Sequence, residues 1–228
     1  MSTIVIADRV RIPSCVNDLE SFRRWRQSDD YPERGWVSFL NGEIWVDTDM
    51  EQLFTHNQVK TEFTVVLGGL MKGEELGYYF SDRAALSNES ANLATEPDGM
   101  FCSFAAIEDK RVALVEGAEE GHVEIEGTPD MVLEAVSAGS VRKDTKILRG
   151  LYWRVGIPEY WLVDARKTPV QFDILRWSAR GYSATPRRQD WLKSKVFGRS
   201  FRLETKPDRL GHPQFFLRLA SADPSSKA

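Results

Sequence analysis

A single carboxylate lodged inside an apolar strand constrains this chain more than any other feature. The run from Gly127 to Asp164 reads GTPDMVLEAVSAGSVRKDTKILRGLYWRVGIPEYWLVD. Met131, Val132 and Leu133 precede Glu134, and Ala135 and Val136 follow it, which is how a strand covered on both faces reads. A lone ionised group is costly to bury there, so Glu134 needs a base, a proton or a metal ion beside it. The breaker-rich SAGSVRK then leads into a helix from about Arg142 to Val155, stopped by Gly156 and by Pro158 two residues beyond. EYWLVD reads as a second buried strand. Strand, helix and strand together make a right-handed crossover between parallel neighbours.

Around this unit the chain is organised as a mixed α/β protein. Leu19, Phe22 and Trp25 space a short amphipathic helix over residues 17–28, with Asn17 and Glu20 in capping-box positions. Asn41-Gly42 between two apolar runs predicts a two-residue hairpin, with Glu43 on its second strand. Leu53, Val59, Phe63, Val66, Leu67 and Leu70 predict the longest helix, from about Gln52 to Lys72. Short strands are expected at GYYFS, RAAL and DGMFCSF, and a hairpin from RVALVEG and GHVEIEG. After Asp164, VQFDILRW, GYSATP, KVFGRSFRLE and QFFLRL read as short antiparallel strands. The expected divisions are an N-terminal strand and helix over 1–34, a core over 35–165, a β-rich extension of the same domain over 166–220 and a frayed tail over 221–228.

Composition narrows the function classes. At 228 residues, 42% hydrophobic and 28% charged, the chain is long enough for a sizeable core and too apolar to be disordered. It shows neither an apolar run of the roughly 18 residues a membrane span needs nor a leader-like start, so no membrane partner and a cytoplasmic location are the default expectations. Cys15 and Cys102, and His56, His122 and His212, lack the spacing of a disulfide framework or zinc site. The net charge of −4 is unevenly spread: Arg176 to Arg209 holds ten Lys or Arg against three Asp or Glu, so this stretch is +7 and the remainder −11. Interleaved with Trp191, Phe197 and Phe201, the basic stretch reads either as a phosphate-contacting surface or as the solvated edge of a β-meander.

The candidate chemistry centres on acids brought to one sheet edge. Pro97-Asp98 opens the apolar segment DGMF, and Pro129-Asp130 opens the strand that carries Glu134. Two carboxylates on separate strands, completed by water, form the oxygen-rich surroundings that Mg²⁺ prefers, and Mg²⁺ can polarise a phosphoryl oxygen and activate water. A nearby lysine would orient that water or stabilise the developing charge. Buried ion pairs or solvated loop carboxylates account for the same residues, and both readings stay open on spacing alone. Asp130 also reads as turn chemistry, and His56, near a helix start, also reads as a cap or a satisfied core group.

The segment GTPDMVLEAVSAGSVRKDTK…LYWRVGIPEYWLVD resembles the Uma-two family of restriction endonucleases, within the PD-(D/E)xK nuclease superfamily. LNGEIWVD is similar to that family's Gly-Glu hairpin, TDMEQLFTHNQVK to its histidine-bearing helix start, and EPDGMF to its Pro-Asp strand. The resemblance implies a restriction-endonuclease-like central mixed sheet flanked by helices, with an antiparallel β extension at the C-terminus. It implies a Mg²⁺-dependent (or Mn²⁺-dependent) endonuclease hydrolysing DNA, with Asp98, Glu134 and the backbone carbonyl of Ala135 on the metal. His56, Glu43 and Asp130 would be supporting residues. The superfamily places a lysine two residues after the second acid, but Val136 stands there. In the family the lysine has moved into the following helix; the slot four residues before Tyr152 is Leu148, which leaves Lys143 and Lys146. At about 100° per residue these two lie close to one helix face, and Lys143, nearer the Glu134 strand, is the stronger candidate. A homodimer would suit cleavage of both strands. The alternative is a nuclease-fold module that binds nucleic acid or protein without catalysis.

Overall fold

The computed structural model describes residues 3–6, 10–33, 35–117 and 121–220. The expected tail at 221–228 lies outside them. The centre is a six-stranded mixed sheet in the order Ser183–Ala184, Gln171–Arg176, Glu159–Asp164, Met131–Ala135, Gly99–Ser103, Gly77–Ser81. Met131–Ala135 and Glu159–Asp164 are its parallel pair, with Met131 opposite Glu159 and Ala135 opposite Val163. The crossover between them is the helical segment read from the sequence.

A second six-stranded sheet runs Glu43–Asp47, Trp36–Leu40, Leu93–Thr95, Ala85–Asn88, His122–Gly127, Val112–Glu116. It contains the Asn41-Gly42 hairpin, with both turn residues at positive φ as a tight two-residue turn requires. The helix Leu19–Arg26 is tied to this sheet by Arg23, whose Nε lies 2.7 Å from Glu124, and by Arg26 on the same buried carboxylate. Its N-cap differs from expectation. Asp18 accepts from the Ser21 N–H at 2.8 Å while the Asp18 N–H donates to the Ser21 hydroxyl at 3.1 Å, so a short hydroxyl at the third helical position closes the box in place of Asn17 and Glu20.

Both longer helices begin with a wide turn. Leu53–Asn57 and Lys143–Leu148 are π-helical, continuing as α-helices over Gln58–Glu74 and Arg149–Val155. A π turn carries more residues per revolution than an α turn and is enriched at functional sites. The C-terminal extension is a four-stranded antiparallel sheet, Arg187–Arg188, Trp191–Lys193, Ser200–Pro207, Pro213–Leu219. It shares one core with the central sheet, where Phe63, Trp161, Phe197, Phe201, Phe215 and Leu217 pack together. Phe197 and Phe201, read from the sequence as part of a basic surface, are therefore core residues; only Trp191 is partly exposed. Among the described residues no helix is long and apolar enough to cross a membrane.

Candidate active site

The strand Gly99–Ser103 pairs with Met131–Ala135 only as far as Gly99 opposite Leu133. Beyond that point the two strands part, and the Ala135 N–H has no strand to bond. Asp98 fills the gap: its Oδ2 accepts the Ala135 N–H at 2.7 Å. The Val136 N–H donates the opposite way, to Val163 at 2.8 Å, so by strand alternation the Ala135 carbonyl faces the Asp98 side as its N–H does. Sheet geometry thus brings Asp98, Ala135 and Glu134 to one edge.

Glu134 is 2% exposed, and its one side-chain hydrogen bond among the described residues comes from the Tyr152 hydroxyl at 2.6 Å. Burial, reinforced by the negative charges of Asp144 and Asp98, holds its carboxyl well above the usual range despite Lys143 nearby. Burial likewise pushes Asp144 up to about 7, against the pull of Lys143 and of the Ser140 hydroxyl that donates to it. Burial alone would lower Lys143, yet Glu134, Asp144 and Asp98 outweigh it and keep the ammonium charged. The nearest carboxylate oxygen to Lys143 Nζ is Asp144 Oδ1, at 3.8 Å.

On the other side stands a group the sequence did not single out. Lys60, 5% exposed on the long helix, puts Nζ 2.5 Å from Glu51, 3.2 Å from Asp82 and 3.7 Å from Asp98. His56, one turn earlier, places Nδ1 2.9 Å from Glu51 and Nε2 3.5 Å from Asp98. Burial opposes charge on both, but the carboxylates prevail and raise both pKa values, led by Asp98 in each case. The signal was present in the sequence: Lys60 interrupts the apolar face between Val59 and Phe63, one helical turn after His56.

These groups line one cavity of about 60 Å³. It holds seven carboxylates, Asp47, Asp49, Glu51, Glu96, Asp98, Glu134 and Asp144, against Lys60, Lys143 and His56. Glu96 Oε2 and Asp144 Oδ1 are buried without a hydrogen-bond partner among the described residues. Of the residues expected at the site, Asp98, Glu134, Ala135, Lys143 and His56 line this cavity, and Lys146, Glu43 and Asp130 do not. Lys146 is exposed because the π turn rotates it away from Lys143, where α-helical spacing would have kept them together. Glu43 is exposed near the hairpin turn. Asp130 sits at the opposite end of the Glu134 strand, accepting from the Ser103 N–H and from Arg111, each at 2.7 Å.

Oxygen donors for a divalent cation are present in Asp98, Glu134 and the Ala135 carbonyl, and the excess of buried carboxylate, with two unpartnered oxygens, suits a cation's charge. No three His, Cys, Asp or Glu side chains among the described residues already converge as a metal cluster, so the carbonyl and water would complete the shell.

Comparison with known proteins gives a family and a fold. A family model described as "Uma2: Putative restriction endonuclease" matches residues 19–205. A crystal structure titled as a putative nuclease belonging to DUF820 from Anabaena variabilis ATCC 29413 superposes with a TM-score of 0.58 at 15% identity, covering 79% of this chain and 90% of that one. At that identity it shows the shared fold. No curated protein matches the chain.

Proposed function

This chain belongs to the Uma2 restriction endonuclease family, and from that premise we propose that it hydrolyses DNA phosphodiester bonds with a divalent cation, Mg²⁺ or Mn²⁺, held by Asp98, Glu134 and the Ala135 carbonyl. The observation that carries the reading is the Asp98 carboxylate on the Ala135 N–H, which seats one acid beside the other at the point where the strands part. A cation bound there supplies Lewis-acid polarisation of a phosphoryl oxygen and a water of lowered pKa.

The chain's own residues supply the rest. Tyr152 fixes one oxygen of Glu134 and leaves the other side of the carboxylate to the cavity. His56 and Lys60 orient Asp98, and Glu51 in turn orients both of them. Lys60 is held among three carboxylates, so it has little freedom to follow a substrate. Lys143, bound more loosely, is the ammonium able to orient the attacking water and to stabilise charge developing on the phosphoryl oxygens. Seven carboxylates would repel a polyanion, so productive binding of DNA at this cavity needs the cation.

Cleavage of supercoiled plasmid by wild type and Glu134→Gln, with Mg²⁺, Mn²⁺ or EDTA, tests the reading. Cutting that requires the metal and disappears in a folded Glu134→Gln protein is the expected result. No cutting under any condition, with calorimetry showing no metal binding, would overturn it in favour of a non-catalytic binding module.

A further inference from the structure

The C-terminal sheet presents a face that the cavity chemistry does not use. Leu192, Phe201, Phe215 and Leu217 point inward to the core. Strand alternation and register therefore place Arg188, Trp191, Lys193, Arg202, Glu204, Lys206, Phe216 and Arg218 on the outer face. That face holds five cations and one carboxylate, in a chain whose net charge is −4. The one carboxylate, Glu204, is already shared by Arg202 at 2.5 Å and Arg218 at 3.1 Å. Two aromatic rings lie among the cations: Arg202 stands 4.8 Å over Trp191 and Arg218 4.9 Å over Phe216. Arg188, Lys193 and Lys206 are exposed, and among the described residues none has a carboxylate within ion-pair distance.

Elements that carry the cavity residues also border this sheet. A groove of about 940 Å³ runs between this sheet and the turn that follows Asp164, lined by three cations, Lys167, Arg187 and Arg202, and two carboxylates, Asp190 and Glu204. That turn leaves the central sheet at the end where Val163 lies opposite Ala135. At the far end of the sheet, His212 stacks on Phe54 at 4.2 Å and 11°, two residues before His56, and the Leu217 N–H donates to Glu62 of the long helix at 2.7 Å.

We propose that the outer face of the C-terminal sheet, with the groove along Lys167 and Arg202, is the track that grips the sugar-phosphate backbone of DNA and leads it to the cavity at Asp98 and Glu134. Its destination rests on the nuclease reading; its charge does not. Evenly spread cations with rings between them suit a phosphate chain that is held regardless of base sequence. They do not resemble an apolar interface between proteins, whose centre is depleted of charge.

The test is fluorescence anisotropy of a short labelled duplex at several salt concentrations in EDTA, where nothing is cut. Arg188→Glu, Lys193→Glu and Lys206→Glu are combined and compared with a control carrying Arg11→Glu, Lys72→Glu and Lys110→Glu, with melting curves to confirm folding. The sheet variant is expected to bind at least about 10-fold more weakly and to lose about 3 from the slope of log affinity against log salt, while the control loses far less. Equal losses in both variants, or none in either, would overturn the track. So would a sheet variant that keeps its DNA affinity while losing binding to phosphatidylserine vesicles, which would make the face a lipid contact. The two readings fail separately: wild type that binds through this face but never cuts keeps the track and removes the nuclease, and cutting undiminished in the sheet variant does the reverse.

Discussion

Glu134 and Glu159 sit on neighbouring parallel strands of one sheet, 2% and 1% exposed, yet their surroundings are opposite in kind. Glu159, at the start of its strand, accepts from the Trp161 indole at 2.9 Å, the Ser194 hydroxyl at 2.6 Å and the Lys195 N–H at 2.6 Å. Both oxygens are satisfied, and the carboxylate pins the C-terminal sheet to the core. Glu134, at the end of its strand, has one hydroxyl donor and other acids as neighbours. A buried carboxylate ringed by neutral donors is a structural fastener, whereas one crowded by like charge lowers stability unless a cation joins it. The difference separates the end of the sheet that holds the molecule together from the end with capacity for chemistry.

The sharpest way to break this contrast is to neutralise each glutamate. Glu134→Gln is expected to cut the cleavage rate by at least about 10³-fold while leaving the melting temperature unchanged or higher, because the amide stays neutral where burial and neighbouring acids disfavour a charged carboxylate. A fall in stability matching the fall in activity would make Glu134 a fastener too. Glu159→Ala is expected to do the reverse. It strands an indole N–H, a hydroxyl and an amide N–H in the core, a loss of about 3 kcal/mol that urea denaturation would read.

The acid-rich end should also respond to pH. Burial raises Asp144 to about 7, so between the ordinary aspartate range near 4 and about 7 the folded protein binds more protons than the unfolded chain. Stability must then fall as pH rises through that window. Melting curves in EDTA are expected to show that decline across it, which Asp144→Asn flattens. A Tm that instead rises over the same range would place the controlling groups elsewhere. A slightly smaller effect is expected at Gly99, beside Asp98, where an added Cβ would run into the Tyr79 hydroxyl. Gly99→Ala is expected to cost about 1–2 kcal/mol, and Tyr79→Phe in the same chain to recover part of it. Additive losses from the two substitutions would argue against that contact.

Periodicity and turn chemistry made the fold legible in the sequence. The Asn41-Gly42 hairpin, the crossover from Met131 to Asp164 and the antiparallel strands after it each follow from local patterns, and the structure contains each. Glu134 was legible for the same reason, since one charge in an apolar strand stands out. Asp98 was visible as Pro-Asp ahead of a strand, but its bond to Ala135 depends on where two strands part, which no local pattern encodes. Lys60, Glu96 and Asp144 come together only through tertiary packing. Of the two lysine candidates, Lys143 lines the cavity and Lys146 does not; α-helical spacing puts both near one face, and the π turn over Lys143–Leu148 changes which side chains share it.

That turn yields the smallest expected effect and a fine test of the helix geometry. Lys146 is exposed and outside the cavity, while Lys143 lines it. Lys146→Ala should change stability by no more than about 0.5 kcal/mol and leave cleavage untouched, as ordinary surface substitutions do. Lys143→Ala should remove most of the activity, and Lys143→Arg, which keeps the charge but not the compact ammonium, should restore only part of it. If Lys146→Ala slowed cleavage as much as Lys143→Ala, the two lysines would share a face after all. The segment would then be α-helical when DNA is bound, and the wide turn would be a feature of the free protein alone.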